Sequence, residues 1–437
     1  MLLPSSGSAP RTRRNFLRDA ALGLGVAACW TARAPASAAR TDQKLTTIRR
    51  LTKPVAIAMW DFCWLVRRYP GGGFEDWDRA LDELVDRGYD AIRLDVFPHL
   101  VSLAERDPAR RRVSFAGAAP GMHVLWGNDV EVTVDPRASL LEFLPKCRQR
   151  GLQVALSTWF RMPADPAILR ITSFEQFVQV WDDTLEFLAR HDLLRDVLFV
   201  DLDNEYPFYS GFKWLRNEAE KAAKLALAQA KVGEENLQEI RREGGLSEVE
   251  RTRYMEFSTR VLRHFRTRYP RYDFTLSHAG NLDAFRPERY TDLAAMDVLD
   301  THIWFGHHPT FAKHEMGKAQ TMSSPQLAQS YANLKQTWEQ QSATLTRWLD
   351  GQLAYYAQLA RLHGCAIGNT EGWGLVGWDD LPPLDWEFIK LAGDIGVDLA
   401  RKHGFTFICT SNFTHPHFKR LWADVSWHRA ITARIRA

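Results

Sequence analysis

Eight short apolar runs alternate with longer amphipathic stretches along the chain from residue 55 onward. They are VAIAMWDF (55–62), AIRLDVFP (91–98), VALSTWF (154–160), VLFVDLDNE (197–205), FTLSHAG (274–280), VLDTHIWF (298–305), CAIGNTEGW (365–373) and FTFICTSNF (405–413). The stretches between them carry helical periodicity. FEDWDRALDELVDRGY (74–89) sets Trp77, Leu81, Leu84 and Val85 on one face, and SFEQFVQVWDDTLEFLARH (173–191) does the same with Phe177, Trp181, Leu185 and Leu188. Strands that alternate with helices imply βαβ units and a parallel sheet, and eight of them predict an α/β fold closed into a (β/α)8 TIM barrel. A doubly wound open sheet is the competing arrangement, but no Gly-rich phosphate loop follows the first run.

Two connections are long, 210–270 and 306–360. They predict insertions leaving the C-terminal ends of strands four and six, the end where barrel enzymes build their clefts. The C-terminal strand ends collect Asp61, Arg93, Asp95, Trp159, Asp203, Asn204, Glu205, His278, His302, Trp304, Glu371, Trp373 and Asn412. A buried strand that ends in Asp201, Asp203, Asn204 and Glu205 carries a desolvation cost unless those groups have a task. The seventh run likewise ends in a lone carboxylate, Glu371, followed by Gly-Trp-Gly. Two carboxylates from different strands are what glycoside hydrolysis requires: one is the acid on the leaving oxygen, and the other attacks the anomeric carbon or activates water.

The Asn204-Glu205 pair after strand four and the Thr370-Glu371-Gly372 stretch ending strand seven resemble the clan A glycoside hydrolases, such as family 5 cellulases and mannanases. The resemblance runs in order along the chain from residue 45, at the level of strand-end motifs, and extends to cellulase-like sugar-binding proteins. It implies that Glu205 is the acid/base, Glu371 the nucleophile and Asn204 the partner of the sugar 2-OH. AIRLDVFP resembles the clan's second strand, making Arg93 a support for the nucleophile; DTHIW resembles its His-x-aromatic element, giving His302, with Trp304 where Tyr is commoner. Strand eight departs from the clan, offering Asn412 and Phe413 where a Trp usually floors the sugar site. In this reading Glu205 needs a desolvated site or a nearby negative charge to stay protonated, and Arg93 holds Glu371 ionised. Trp159, Trp373 and Trp378 are candidates for stacking on sugar faces, and Asp61, Asp95 and Asp203 for substrate contacts.

The expected activity is therefore a retaining β-glycosidase acting on an oligo- or polysaccharide, needing neither cofactor nor metal. A carbohydrate-binding barrel that keeps the clan's shape without turnover is the second reading, and a metal-dependent barrel hydrolase the third. Taken singly, Glu205 or Glu371 could be a surface carboxylate at a turn. His307, His308 and His314 in GHHPTFAKH fit a surface loop better than a metal site, and the charged run at 216–244 fits a solvated helical face.

The N-terminus reads differently. Arg13 and Arg14 precede Asn15-Phe16-Leu17, an Ala/Gly-rich stretch follows, and APASAAR offers a small-residue cleavage site after Ala38. This resembles a twin-arginine export signal over residues 1–38 and implies a periplasmic or extracellular protein; VAAC, ending at Cys29, also resembles a weak lipidation box. Residues 45–437 are then a single catalytic barrel. No other run approaches the ~18 apolar residues of a membrane helix. A net charge of +3 is too mild to argue for nucleic acid. Cys63, Cys147, Cys365 and Cys409 lack CxxC spacing and read as free thiols. Nothing in the chain signals an oligomeric state.

Overall fold

In the computed structural model, residues 46–59, 63–103, 113–115, 132–160, 170–208, 212–242, 246–279, 286–312, 323–374, 380, 384–412, 414–416 and 418–437 are described. Asp61, Trp378, His314, Phe413 and the whole proposed export signal with Cys29 lie outside them.

Each of the eight runs holds a parallel strand: β1 (Val55–Ala58), β2 (Ala91–Asp95), β5 (Gln153–Ser157), β6 (Val197–Asp201), the pair β7 (Phe274–Thr275) and β8 (His278–Ala279), β9 (Val298–His302), β10 (Ala366–Asn369) and β11 (Phe407–Cys409). A short antiparallel pair, β3 (Val113–Phe115) with β4 (Val132–Val134), stands apart and was not expected. The nine parallel strands follow the order β7-β6-β5-β2-β1-β11-β10-β9-β8. The two ends of that order are halves of one stretch, with only Leu276 and Ser277 between them. The sheet thus curls until its ends meet at the fifth strand, consistent with a TIM barrel.

Side chains alternate across each strand, and the alternation explains both cores. Ile92, Leu94, Leu156, Val200, Leu299 and Ile408 face outward into the helical layer. Ile57, Ala91, Ala155, Phe199, Val298 and Phe407 fill the barrel interior. Along the inward rows the chemistry then changes. Ala91 is followed by Arg93 and Asp95, Phe199 by Asp201, and Val298 by Asp300 and His302, all buried. The apolar floor therefore carries a charged layer toward the C-terminal strand ends, where barrel sites form.

The helices seal the outer layer. Asp76 caps Trp77–Asp86 by accepting from the Arg79 amide, and Ser173 caps Phe174–Arg190 through Gln176. Phe177, Trp181, Leu185 and Leu188 are buried as the period requires. In the earlier helix Ala80 takes the buried place expected for Val85, which is 41% exposed. Helices Trp214–Gln229, Glu235–Arg242 and Glu248–Arg268 lie between β6 and β7, and Pro309–Ala312 with the 40-residue Ser324–His363 between β9 and β10. Leu45–Ala437 forms one compact unit, and Cys147, Cys365 and Cys409 are free thiols. No described helix is long and apolar enough to cross a membrane.

Candidate active site

Arg93 stands in the middle of β2 with no exposed surface. Its Nη2 donates to Glu371 Oε1, and its Nη1 donates to Thr370 Oγ1. Both partners follow β10 directly. His302 closes β9, and its Nδ1 lies 3.1 Å from Glu205 Oε1 and 3.3 Å from Glu371 Oε1. One imidazole edge thus faces carboxylates from the ends of strands four and seven. Glu371 Oε2 is approached by Asn412 Nδ2 at 3.5 Å, and Asn412 Oδ1 accepts from the Gly372 amide at 2.8 Å.

The other edge of His302 decides its charge. Nε2 lies 2.9 Å from Arg93 Nη1, 3.1 Å from Thr370 Oγ1 and 3.6 Å from Asp300 Oδ2. A guanidinium only donates, so a true Arg93–His302 hydrogen bond needs a bare, neutral Nε2. An alternative assignment satisfies every hydrogen. Nε2–H and Arg93 both donate to Thr370 Oγ1, whose own hydrogen goes to Asp300 Oδ2 at 2.7 Å. The field favours this second, imidazolium arrangement. Burial opposes the charge, but Glu371, Asp300 and Glu205 outweigh it and push the His302 pKa up to about 10. Asp300 is held below its usual range by His302, Arg93 and Thr370, against its own burial.

Beneath Glu205 lies a further carboxylate, Asp201. Burial raises it to about 6 against the pull of Arg93, with Asp300 adding to the rise. Asp201 Oδ2 accepts from Ser157 and Ser277 hydroxyls at 3.0 and 2.9 Å, and Oδ1 from the Ser277 amide at 2.9 Å. Asn204 is fully buried; its Oδ1 lies 3.3 Å from Ser277 Oγ, and its Nδ2 finds no hydrogen-bond acceptor among the described residues.

The remaining expected residues divide. Trp304 follows β9 and is half-buried. Trp159 and Asp203 are buried at 3% and 1% exposure. Asp95 accepts from the amides of Phe97 and Trp159 at 2.8 and 3.0 Å, so two loop amides hold its oxygens. Trp373 corrects the sequence reading. It has no exposed surface, its ring packs against Gly396, and its Nε1 donates to Cys409 O at 2.8 Å. It is a core residue with no face for a sugar. His278 is buried against Tyr290, with ring centroids 5.7 Å apart, and burial lowers its pKa to about 3. His308 packs edge-on to Trp348 at 5.4 Å. Sequence reasoning missed the parts played by Thr370, Asp300 and Ser277, and the contact of Asn412 with Glu371; it flagged Asp201 as a buried acid without assigning it a partner. Only the inward alternation of β9 could have raised Asp300.

Ligand atoms of Glu205, His302 and Glu371 lie within 4.8 Å of one another, a spacing a metal ion can use. Here Nδ1 already faces both carboxylates and Arg93 already binds Glu371. A cation would have to displace those pairs, so the donor set fits an ion-paired acid site better than a metal centre.

No curated protein matches the chain. A provisionally assigned glycoside hydrolase from Parabacteroides distasonis ATCC 8503 is similar at 28% identity and TM-score 0.69, over 88% of this chain and 94% of that one. An endo-1,4-β-D-mannanase from Thermotoga petrophila RKU-1 shares 11% identity at TM-score 0.45, over 82% and 87%. PbGH5A, a family 5 enzyme from Prevotella bryantii B14 seen with a xyloglucan tetradecasaccharide, shares 11% at TM-score 0.46, over 91% and 100%. Residues 57–436 match the cellulase-like family model, described as sugar-binding cellulase-like, and the chain belongs to that family.

Proposed function

We propose that this chain is a retaining β-glycosidase in which Glu205 is the acid/base and Glu371 the nucleophile. The observation that carries the reading is the convergence of Glu205, His302 and Glu371, with ligand atoms within 4.8 Å, at the ends of three strands beside a buried Arg93. Retaining enzymes hold their two carboxyl groups about 5–5.5 Å apart, and an oxygen of Glu205 within 4.8 Å of one of Glu371 is compatible with that class. Similarity to the Parabacteroides protein supports glycosidic substrates.

In the first step the Glu205 carboxyl proton passes to the glycosidic oxygen as its bond to the anomeric carbon breaks. Glu371 Oε forms a bond to that carbon and gives a glycosyl ester. Water then attacks the same carbon, gives its proton to Glu205, and the Glu371 carboxylate leaves. Arg93 pairs with Glu371 and aims it, while His302 links the two carboxyl groups. Asn204, whose buried side-chain amide has one end unmatched, suits a hydrogen bond to the sugar 2-OH. Trp304, the half-buried indole, supplies the stacking face. The substrate is an oligo- or polysaccharide taken up by one catalytic barrel, residues 45–437. Residues 1–38 direct export by the twin-arginine route, leaving a periplasmic or extracellular protein cleaved after Ala38 or lipidated at Cys29. N-terminal sequencing and mass of the exported protein test that part.

A carbohydrate-binding protein without turnover is the second reading, favoured by the departures at strands six and eight: Trp304 stands where Tyr is commoner in the clan, and Asn412 where a Trp usually floors the sugar site. Aryl β-glycosides assayed with wild type, Glu205→Ala and Glu371→Ala separate the two. The glycosidase reading requires turnover lost in both variants, and azide restoring the Glu371 variant as an inverted glycosyl azide. Absence of turnover on every glycoside, with sugar affinity unchanged in both variants, selects the binding protein.

A further inference from the structure

Glu205 sits at φ +53°, in the left-handed region that a residue with a side chain occupies only when its surroundings hold it there. What holds it comes chiefly from the stretch between β7 and β8, with one contact from the residue after β5. The Glu205 amide donates to Ser277 Oγ at 3.0 Å. The Tyr206 amide donates to Ser277 O at 3.0 Å, and the Asn204 amide to Thr158 O at 2.9 Å. Ser277 Oγ is also 3.3 Å from Asn204 Oδ1 and donates to Asp201 Oδ2 at 2.9 Å. Its own amide donates to Asp201 Oδ1, and Ser157 braces the same carboxylate. Ser277 is fully buried, as is Asp201. It stands in the two-residue gap between β7 and β8, where the ladder is interrupted and its polar groups are free to bond sideways.

We propose that Ser277, anchored by Asp201, is a positioning residue that sets the Asn204–Glu205 pair: it fixes the backbone of the acid/base and the side-chain amide of the sugar-binding Asn together. The proposal rests on the glycosidase reading for its catalytic consequence, though not for the contact itself. With Asp201 ionised, one hydroxyl can satisfy the three neighbours in one way. With its hydrogen on Asp201, its lone pairs accept from the Glu205 amide and from a hydrogen of the Asn204 amide group. In that state Nδ2 is the atom facing Ser277, so the Asn204 amide turns over relative to its present orientation and offers its carbonyl oxygen to the sugar. The terminal O and N of an amide are isosteric, so the turn leaves the surrounding contacts in place.

The test compares wild type with Ser277→Ala, Ser277→Cys and Ser277→Thr. Hydrogen–deuterium exchange over residues 202–208 reads the contact without any substrate. Exchange rises in Ser277→Ala, rises less in Ser277→Cys and returns to wild type in Ser277→Thr, which keeps the hydroxyl. Unchanged exchange in Ser277→Ala overturns the proposal whatever the activity. Kinetics on the aryl β-glycosides that wild type turns over read the consequence. A misplaced acid costs most where the leaving group needs a proton, so Ser277→Ala loses about 100-fold in kcat/KM on phenyl glycosides, the parameter that excludes the later step in which Glu205 acts as base. It loses far less on 2,4-dinitrophenyl glycosides. Equal loss on both overturns the link to Glu205. If wild type turns over nothing, the glycosidase reading falls, and the exchange result alone decides whether Ser277 holds the pair. If Ser277→Ala does not fold, the Cys and Thr variants carry the same comparison.

Discussion

His302 lies between three carboxylates and one guanidinium, and its charge can be read from how stability varies with pH. An imidazole that titrates at 6.5 when unfolded and at about 10 in the barrel binds a proton in the folded chain that the unfolded chain has released. Its contribution is therefore fully present below pH 6.5 and is lost as pH rises through about 10. Across that window stability declines by ~1.4 kcal/mol per pH unit, which bounds the contribution at about 5 kcal/mol. The perturbation is His302→Gln, which keeps a donor for one carboxylate and removes the titration. Urea unfolding of both proteins from pH 6 to 10.5 gives the difference in stability directly, and Lys, Tyr and Cys ionisations common to both cancel. Wild type should lead at pH 6.5 and lose its lead steadily toward pH 10. Parallel profiles would refute the imidazolium. They would mean that Arg93 donates to a neutral Nε2 across the 2.9 Å contact, with the only hydrogen on Nδ1.

Other substitutions probe the same frame. Arg93→Met leaves Glu371 charged and buried, and is expected to cost about 3–5 kcal/mol in urea unfolding; in a Glu371→Gln background the same change should cost clearly less, and equal costs would show that the pair is not coupled. A Cβ at Gly396 would overlap the Trp373 ring, so Gly396→Ala should lose about 1–3 kcal/mol despite the better helix propensity of Ala, with a changed near-UV tryptophan spectrum. Ser247 and Glu250 form a reciprocal cap on Glu248–Arg268; Ser247→Ala should cost about 1 kcal/mol by thermal or urea unfolding without altering activity.

The strands were legible because burial on both faces leaves little choice of residue: each of the eight apolar runs holds one. The break within the fifth was not, since FTLSHAG carries no glycine or proline where the ladder stops at Leu276 and Ser277. At the site, the convergence of Arg93, His302, Glu205 and Glu371 was readable from their places along the strands. Trp373 was not. A Gly-Trp-Gly stretch at a strand end says that the chain turns, but not that the indole folds back against Gly396 instead of facing the cleft. Thr370 and Ser277 look like ordinary strand residues in sequence. Their hydroxyls matter because of which carboxylate stands opposite on the neighbouring strand, a register that only the assembled sheet supplies.

Asp201 exposes the tension in such a site. Its folded pKa is raised from 3.8 to about 6, chiefly by burial, with Asp300 adding and Arg93 and His302 opposing. The folded chain thus holds its proton more tightly than the unfolded chain, and stability rises as pH falls from about 6 toward 3.8. At pH 7 the ionised carboxylate carries a cost bounded at about 3 kcal/mol, from ~1.4 kcal/mol per pH unit over that interval. Asp201→Asn removes the charge while its carbonyl can still accept from the Ser277 amide, and its new donor meets a serine hydroxyl able to accept. The variant should therefore be more stable than wild type at pH 7, with the gain fading below pH 4, where the wild-type carboxyl is protonated. Catalysis should pay for it, because the Ser277 hydrogen is now free to turn to Asn204 Oδ1 and locks the amide in one orientation. A variant less stable than wild type at pH 7 would mean that three donors on Asp201 outweigh its burial, and that the charge is kept for the fold and not for the sugar.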